Sequence, residues 1–471
     1  MNPSPASSNP SAPPEKLSLW TKLAFGAGDL GTAITANLLA FVLLVFLTNV
    51  AGMPAGLAGS VYLVGKISDA INDPVIGVLS DRTRHPWGRR YPWMVFGALP
   101  FGVFFLLQWV VPSSNQWALF WYYSIIAVLF NLTYTAVNLP YTALTPELTQ
   151  DYNERTSLNS FRFAFSIGGS ILSLMLALVI SQLIPDDPRR QYFVLGLVCA
   201  ILSVLPIFWC VLGTRHRVLR KDETQATEST ASQSLPEQLR IAFGNRPFVY
   251  VIGIYLFSWL AVQLTAAILP YFVQNWMQRP ETDFYNVAIA VQGTAIIMLF
   301  IWSQISQRYG KRAVYFMGAT LWLIAQLGLM ALQPGQIGLM YGLAVAAGCG
   351  VSTAYLIPWS MIPDVIDLDE LNTGQRREGV FYSLMVFLQK IGLAIGLFLV
   401  GQGLERAGYI ASVAGQPTPV QPDSALMAIR IAIAPLPAIA LIAGMALTYF
   451  YPITRARHSE ILLKLNERKS Q

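Results

Sequence analysis

The chain alternates between long apolar runs and short polar breaks. A bilayer core of ~30 Å needs about 20 apolar residues per helix. By that measure twelve runs qualify: 23–49, 57–80, 92–112, 117–145, 158–184 and 191–213, then 248–274, 284–307, 314–333, 337–360, 381–403 and 425–451. Between the sixth and seventh lies TRHRVLRKDETQATESTASQSLPEQLR, which is polar and shows no apolar periodicity. The pattern predicts an all-α membrane protein of twelve transmembrane helices in two six-helix halves, 23–213 and 248–451, with a cytoplasmic linker at 214–247. The opening MNPSPASSNPSAPPEK is rich in Pro and Ser, shows no cleavable signal pattern, and predicts a disordered N-terminus over 1–22. Residues 452–471 read as a basic cytoplasmic tail.

The two halves echo each other. DRTRHPWGRRYPW follows the second run and SQRYGKRAVYF the eighth, placing Gly88-Arg89-Arg90 opposite Gly310-Lys311-Arg312. The fourth run ends in LPYTALTPE and the tenth in IPWSMIPD, placing Pro140 opposite Pro358. The offsets, 222 (310 − 88) and 218 (358 − 140), are similar and point to duplication. Parallel six-helix repeats are the major facilitator architecture, with the substrate site between the halves near the midplane.

Composition agrees. Of 471 residues, 54% are hydrophobic and only 12% charged, and mean hydropathy is +0.49, too little polar surface for a water-soluble globule of this size. The net charge of +6 sits in short loops, with no basic patch interleaved with aromatics, so no nucleic-acid partner is expected. One side carries Arg82, Arg84, Arg89, Arg90, Arg155, Arg215, Arg308, Lys311, Arg312, Arg376 and Arg377, while the loops at 50–56 and 113–116 carry no charge. Loop charge of this kind predicts that both termini are cytoplasmic; the membrane expected is the plasma membrane. Cys199, Cys210 and Cys349 lie in apolar runs and read as packing residues.

Several motifs resemble chemistry without its context. GAGDLG matches a dinucleotide fingerprint but opens a membrane run, and no Tyr-Asp dipeptide accompanies its GxGD to make an intramembrane protease. GSVYLVGK has the wrong glycine spacing for a phosphate loop, and His85, His216 and His458 form no zinc motif. A sensor or an intramembrane enzyme is therefore disfavoured against a transporter, and no cofactor beyond a coupling ion is expected.

The ionisable residues inside apolar runs are the informative ones: Asp29, Lys66, Asp69, Asp73, Arg162 and Lys390. Charge at that depth is costly, so it faces a cavity and has a partner. Lys66, Asp69 and Asp73 are spaced i, i+3, i+7 and share one helix face. Two carboxylates one turn apart suit a hard cation such as Na⁺; a buried Lys66–Asp69 ion pair that only joins helices is the alternative. Thr135 and Asn138, also on one face, would complete an oxygen cage or make ordinary interhelical bonds. Lys390 would connect cation occupancy to movement of the halves, or form a plain salt bridge. Arg82, Gly88, Arg89 and Arg90, with Gly310, Lys311 and Arg312, are expected at helix ends that close the cytoplasmic side, with Glu147 and Asp364 as acids for them.

At this point KISDAINDPVIGVLSDRTRHPWGRRYPWM resembles the second-helix signature of the glycoside–pentoside–hexuronide:cation symporters, to which melibiose permease belongs. The match runs through TYTAVNLPYTAL, Arg162 and Lys390, over almost the whole chain. The resemblance implies a cation site at Asp69, Asp73, Thr135 and Asn138, and substrate recognition at Asp29, Arg162, Asn138 and Thr142. It implies coupling through Lys390. Two positions depart: Asn138 stands where melibiose permease has an aspartate, and Thr142 where it has a sugar-stacking tryptophan. LAVAAGCGVSTAYLIPWSMIPDVID and SQRYGKRAVY also resemble the animal sodium-dependent lysophosphatidylcholine transporter, a branch that lacks an acid at the position of Asp29. The expectation is symport of a sugar or glycoside with Na⁺ or H⁺, the alternative substrate being a lysophospholipid. The partners expected are that small molecule and the bilayer, with no obligate protein.

Overall fold

The structure, a computed structural model, describes residues 17–149, 152–222, 240, 243–374, 378–411 and 419–470. Most of the expected disordered N-terminus (1–16) and of the expected linker (223–239 and 241–242) lies outside these residues.

All regular structure among the described residues is helical. We number the main helices α1 (Leu19–Asn49), α2 (Ala55–Arg82), α3 (Tyr91–Leu107), α4 (Gln116–Thr142), α5 (Tyr152–Leu183) and α6 (Pro188–Asp222). There follow α7 (Arg246–Trp276), α8 (Glu281–Tyr309), α9 (Lys311–Ala331), α10 (Ile337–Thr373), α11 (Glu378–Arg406), α12 (Asp423–Phe450) and α13 (Arg455–Ser470).

By length and composition, ten of these contain a segment able to cross a membrane, against the twelve expected. The other two differ for separate reasons. Helix α2 has 28 residues, about 42 Å at 1.5 Å per residue, but Lys66, Asp69 and Asp73 make its centre polar. Helix α3 is apolar but has only 17 residues.

Three boundaries differ from the sequence reading. Helix α1 begins at Leu19, capped by the Ser18 hydroxyl accepting from the Thr21 N–H, so 17–22 are not disordered. Helix α6 continues to Asp222, into the expected linker. The basic tail forms α13, which packs on α10 and buries Ile461 and Leu465 in the cluster that holds Val365 and Ile366.

Packing repeats along the chain. In the first six helices the main pairs are α1 with α5, α1 with α6, α2 with α4, α3 with α4, and α3 with α6. The same pairs recur six helices later: α7 with α11 and α12, α8 with α10, and α9 with α10 and α12. The principal contacts between the halves, α2 with α11 and α5 with α8, exchange under the same shift.

Small residues make the α2–α11 crossing close. A Cβ on Gly401 would lie 2.4 Å from the Ala55 carbonyl oxygen and 2.9 Å from the Gly59 Cα. Only glycine allows backbones to approach so nearly. Around this crossing the halves are tied by hydrogen bonds. The Thr48 and Tyr271 hydroxyls are 2.7 Å apart, Tyr409 donates to Asn49 (2.8 Å), and the Gly56 N–H donates to Glu405 (2.5 Å). Glu281 of α8 accepts from Gln191 (3.0 Å) and Tyr192 (2.5 Å) at the start of α6. All lie at the end opposite the arginine-rich loops. Outward faces carry exposed Phe96, Leu99, Trp121, Phe300 and Leu327, as a lipid-facing surface requires.

Candidate cation and substrate site

Helix α2 sets Lys66, Asp69 and Asp73 on one face, as the spacing requires, and that face looks onto α4 and α11. Asp69 is 3% exposed, and its Oδ2 accepts from the Lys66 Nζ at 3.0 Å. The Lys66 Nζ also donates to Asn131 Oδ1 of α4 at 3.0 Å. Asp73 is held from two sides: Thr135 donates to its Oδ1 at 2.8 Å, and the Lys390 Nζ of α11 to its Oδ2 at 2.6 Å. Lys390 also stands 3.6 Å from Asp69 Oδ2. Two carboxylates thus face two ammonium groups, one from their own helix and one from the other half.

Among the described residues, Asp69 Oδ1 in this cluster and Asn138 Oδ1, about one turn beyond Thr135 on α4, are buried and have no hydrogen-bond partner. A buried acceptor without a donor costs about 1–3 kcal/mol. Both are oxygen ligands of the kind a hard cation takes.

Asp29 and Arg162 meet one helix pair away, where α1 packs on α5. Arg162 Nε donates to Asp29 Oδ2 at 3.3 Å, and Thr32 donates to Asp29 Oδ1 at 3.1 Å. The guanidinium lies over the Tyr141 ring, 5.7 Å from its centroid. Tyr141 itself is fixed by donating to the Phe25 carbonyl at 2.8 Å. The GAGDLG glycines serve this packing: a Cβ on Gly28 would lie 2.4 Å from the Tyr141 ring. The Thr142 hydroxyl instead turns back to its own helix, donating to the Leu139 carbonyl (2.9 Å).

The pattern of the family described as MFS/sugar transport protein matches residues 24–455, nearly the whole chain. The chain belongs to that family. An uncharacterized symporter of Synechocystis sp. is 52% identical over 97% of this chain and 98% of its own length. The sodium-dependent lysophosphatidylcholine symporter 1-A of Danio rerio is 27% identical over 97% of this chain and 91% of its own. Among solved structures, the nucleoside transporter NupG superposes with a TM-score of 0.65 at 13% identity, covering 91% of this chain and 99% of NupG. That likeness shows the fold. This is a multi-pass membrane transporter of a family of transporters, not of enzymes, and its matched relatives are symporters.

Within this family member the duplicated loops carry matching ion pairs. Gly88 and Gly310 both adopt positive φ (84° and 83°), which lets the chain turn sharply into α3 and α9. Glu147 Oε1 accepts from Arg90 Nε at 2.8 Å and Arg89 Nη2 at 2.9 Å. In the second half the Lys311 Nζ reaches both oxygens of Asp364 at 2.7 Å. Arg312 donates to the Tyr449 carbonyl at 2.6 Å, and Arg82 is exposed at the end of α2.

Sequence reasoning missed three features here. Asn131 precedes Thr135 by one turn and shares its face, so its spacing was a usable signal. His458 of α13 stands 3.1 Å from Asp367 and 3.5 Å from Asp364, a pairing that depends on how the tail folds back. Arg430 stacks on Trp276 at 4.4 Å, joining α12 to α7.

Proposed function

We propose that the protein is a plasma-membrane symporter with both termini cytoplasmic. It couples a monovalent cation, Na⁺ or H⁺, to uptake of a sugar or glycoside. The observation that carries this reading is Lys390, which reaches from α11 across the halves to Asp73 and Asp69 of α2. Na⁺ would be held by Asp69 and Asp73, with oxygens from Thr135 and Asn138. Two aspartates and two lysines balance, so an arriving cation displaces one ammonium. Displacing Lys390 releases a tie between the halves, which then rock about the site. Asp29 and Arg162 supply charge-assisted hydrogen bonds to a polyol, with Asn138 and Thr142 as the further substrate contacts that the family resemblance implies.

A lysophospholipid is the second reading, favoured by the Danio rerio relative and by an apolar crevice. Phe41, Val262, Phe272, Val291, Trp322 and Tyr355 are among the residues that line it. Counterflow of labelled glycosides and lysolipids in proteoliposomes, with and without Na⁺, separates these readings. Glycoside exchange accelerated by Na⁺ supports the first. Exchange of neither class under any ion gradient rejects both.

The paired loops and the α2–α11 crossing act as gates at opposite ends. Gly401→Leu forces α2 and α11 apart, so labelling of engineered cysteines from the uncharged-loop face is expected to rise. Arg90→Ala weakens the Glu147 cluster, so labelling from the arginine-rich face is expected to rise. Unchanged labelling on both faces in both variants rejects these gating roles.

A further inference from the structure

Asn131 is a polar side chain of the carboxylate cluster to which the cation-site reading gives no role. It is 6% exposed on α4, and its Oδ1 takes the Lys66 ammonium at 3.0 Å. The chain makes room for it: a Cβ on Gly65 would lie 2.8 Å from the Asn131 Nδ2. A neutral amide in this position does not change the charge of the site. It changes where one charge sits.

The cluster holds two ammonium groups that differ in their attachments. Lys390 belongs to the other half, and its 2.6 and 3.6 Å contacts are both to the carboxylates. Lys66 belongs to α2 and divides its hydrogen bonds between Asp69 Oδ2 and Asn131 Oδ1, both at 3.0 Å. The other edge of Asp69, Oδ1, is buried and has no partner among the described residues. Without the Asn131 oxygen, the Lys66 donors would have only Asp69 to turn to. They would then cover the edge that a cation needs.

We propose that Asn131 is a positioning residue of the cation site: it anchors Lys66 to one edge of Asp69, so that a small monovalent cation meets the free edge and exchanges with Lys390. The inference rests on the cation-site reading and adds to it which lysine stays. Lys66 is then a fixed countercharge, and Lys390 is the ammonium that leaves.

The test uses the purified full chain and the ion alone. A bound ion stabilises the folded protein by mass action, so the midpoint of thermal stabilisation is read against Na⁺ at fixed pH and against pH at fixed salt. Asn131→Leu is expected to raise the half-saturating concentration of the responsive ion about tenfold, as loss of a hydrogen bond to a charged group would. Asn131→Asp, which holds the ammonium more firmly, is expected to lower it by about threefold. In a Lys66→Met background, Asn131→Leu is expected to add less than about twofold, because the group it acts through is gone. An equal shift in both backgrounds means a merely structural role and overturns the proposal. So does Asn131→Leu titrating like wild type while Asp69→Asn loses the ion response. If Asp69→Asn keeps a full ion response, or wild type responds to neither ion, the cation-site reading fails and takes this proposal with it. Should Asn131→Leu not fold, Asn131→Asp decides: a shift to tighter binding supports the proposal and no shift overturns it.

Discussion

Asp73→Asn is expected to remove the Na⁺ dependence of substrate binding while leaving uncoupled binding measurable. Asp73 is the residue on which both sides of the site converge, Thr135 from α4 and Lys390 from α11. Removing one member of a hydrogen-bonded charge pair costs about 2–5 kcal/mol where the pair is buried; for this partly buried pair the lower end applies, so half-saturating Na⁺ should rise about thirtyfold. The substitution also leaves Lys390 with only the 3.6 Å contact to Asp69, loosening the tie between the halves. Asp69→Asn should weaken the Na⁺ response as well, through the buried Oδ1 edge, but it spares the Asp73–Lys390 tie. Substrate affinity measured against Na⁺ at fixed pH in wild type and both variants checks this. An unchanged sodium response in both would falsify the cation site, and the four charges would then be a structural ion-pair cluster.

Asp29→Ala and Arg162→Ala should each reduce substrate affinity by at least about a hundredfold, while Na⁺ still stabilises the protein. Each removes half of an ion pair packed against Tyr141 and leaves the other charge uncompensated, a loss of about 3–5 kcal/mol by analogy with buried pairs. Among the described residues no hydrogen bond or ion pair joins Asp69, Asp73, Lys66 or Lys390 to Asp29 or Arg162, so the ion titration should be nearly untouched. Binding measured by isothermal calorimetry, with thermal titration by Na⁺ alongside, separates the two effects. A glycoside that still binds Asp29→Ala with near-normal affinity would remove the main support for the polyol site. Retained lysolipid binding in the same variant would favour the amphiphile, which depends more on an apolar lining.

The order of helices was legible because apolar run length is a property of the chain itself. So was the shared face of Lys66, Asp69 and Asp73, which helical periodicity sets without any neighbour. Two short motifs pointed to an internal repeat, and the packing pairs recur six helices apart. Composition had less to say where function intrudes. The run pattern counted 57–80 as a span although its centre is polar, and the charges that make it polar are those of the proposed cation site.

The tertiary structure alone decided which charges meet across the two halves of the chain. Lys390 lies 317 positions from Asp73, and no local rule connects them. Sequence left the Lys66–Asp69 pair and the cation cage as alternatives; the structure shows the pair, with Asn131 sharing the lysine, on one of the two carboxylates for which the cage is proposed. The tail read as a basic extension, yet α13 folds back because Ile461 and Leu465 can bury themselves on the end of α10. Helical spacing is local and survives without a fold. Contacts between helices depend on how close two backbones can come, and at the α2–α11 crossing that is decided by glycines whose partners lie in the other half of the chain.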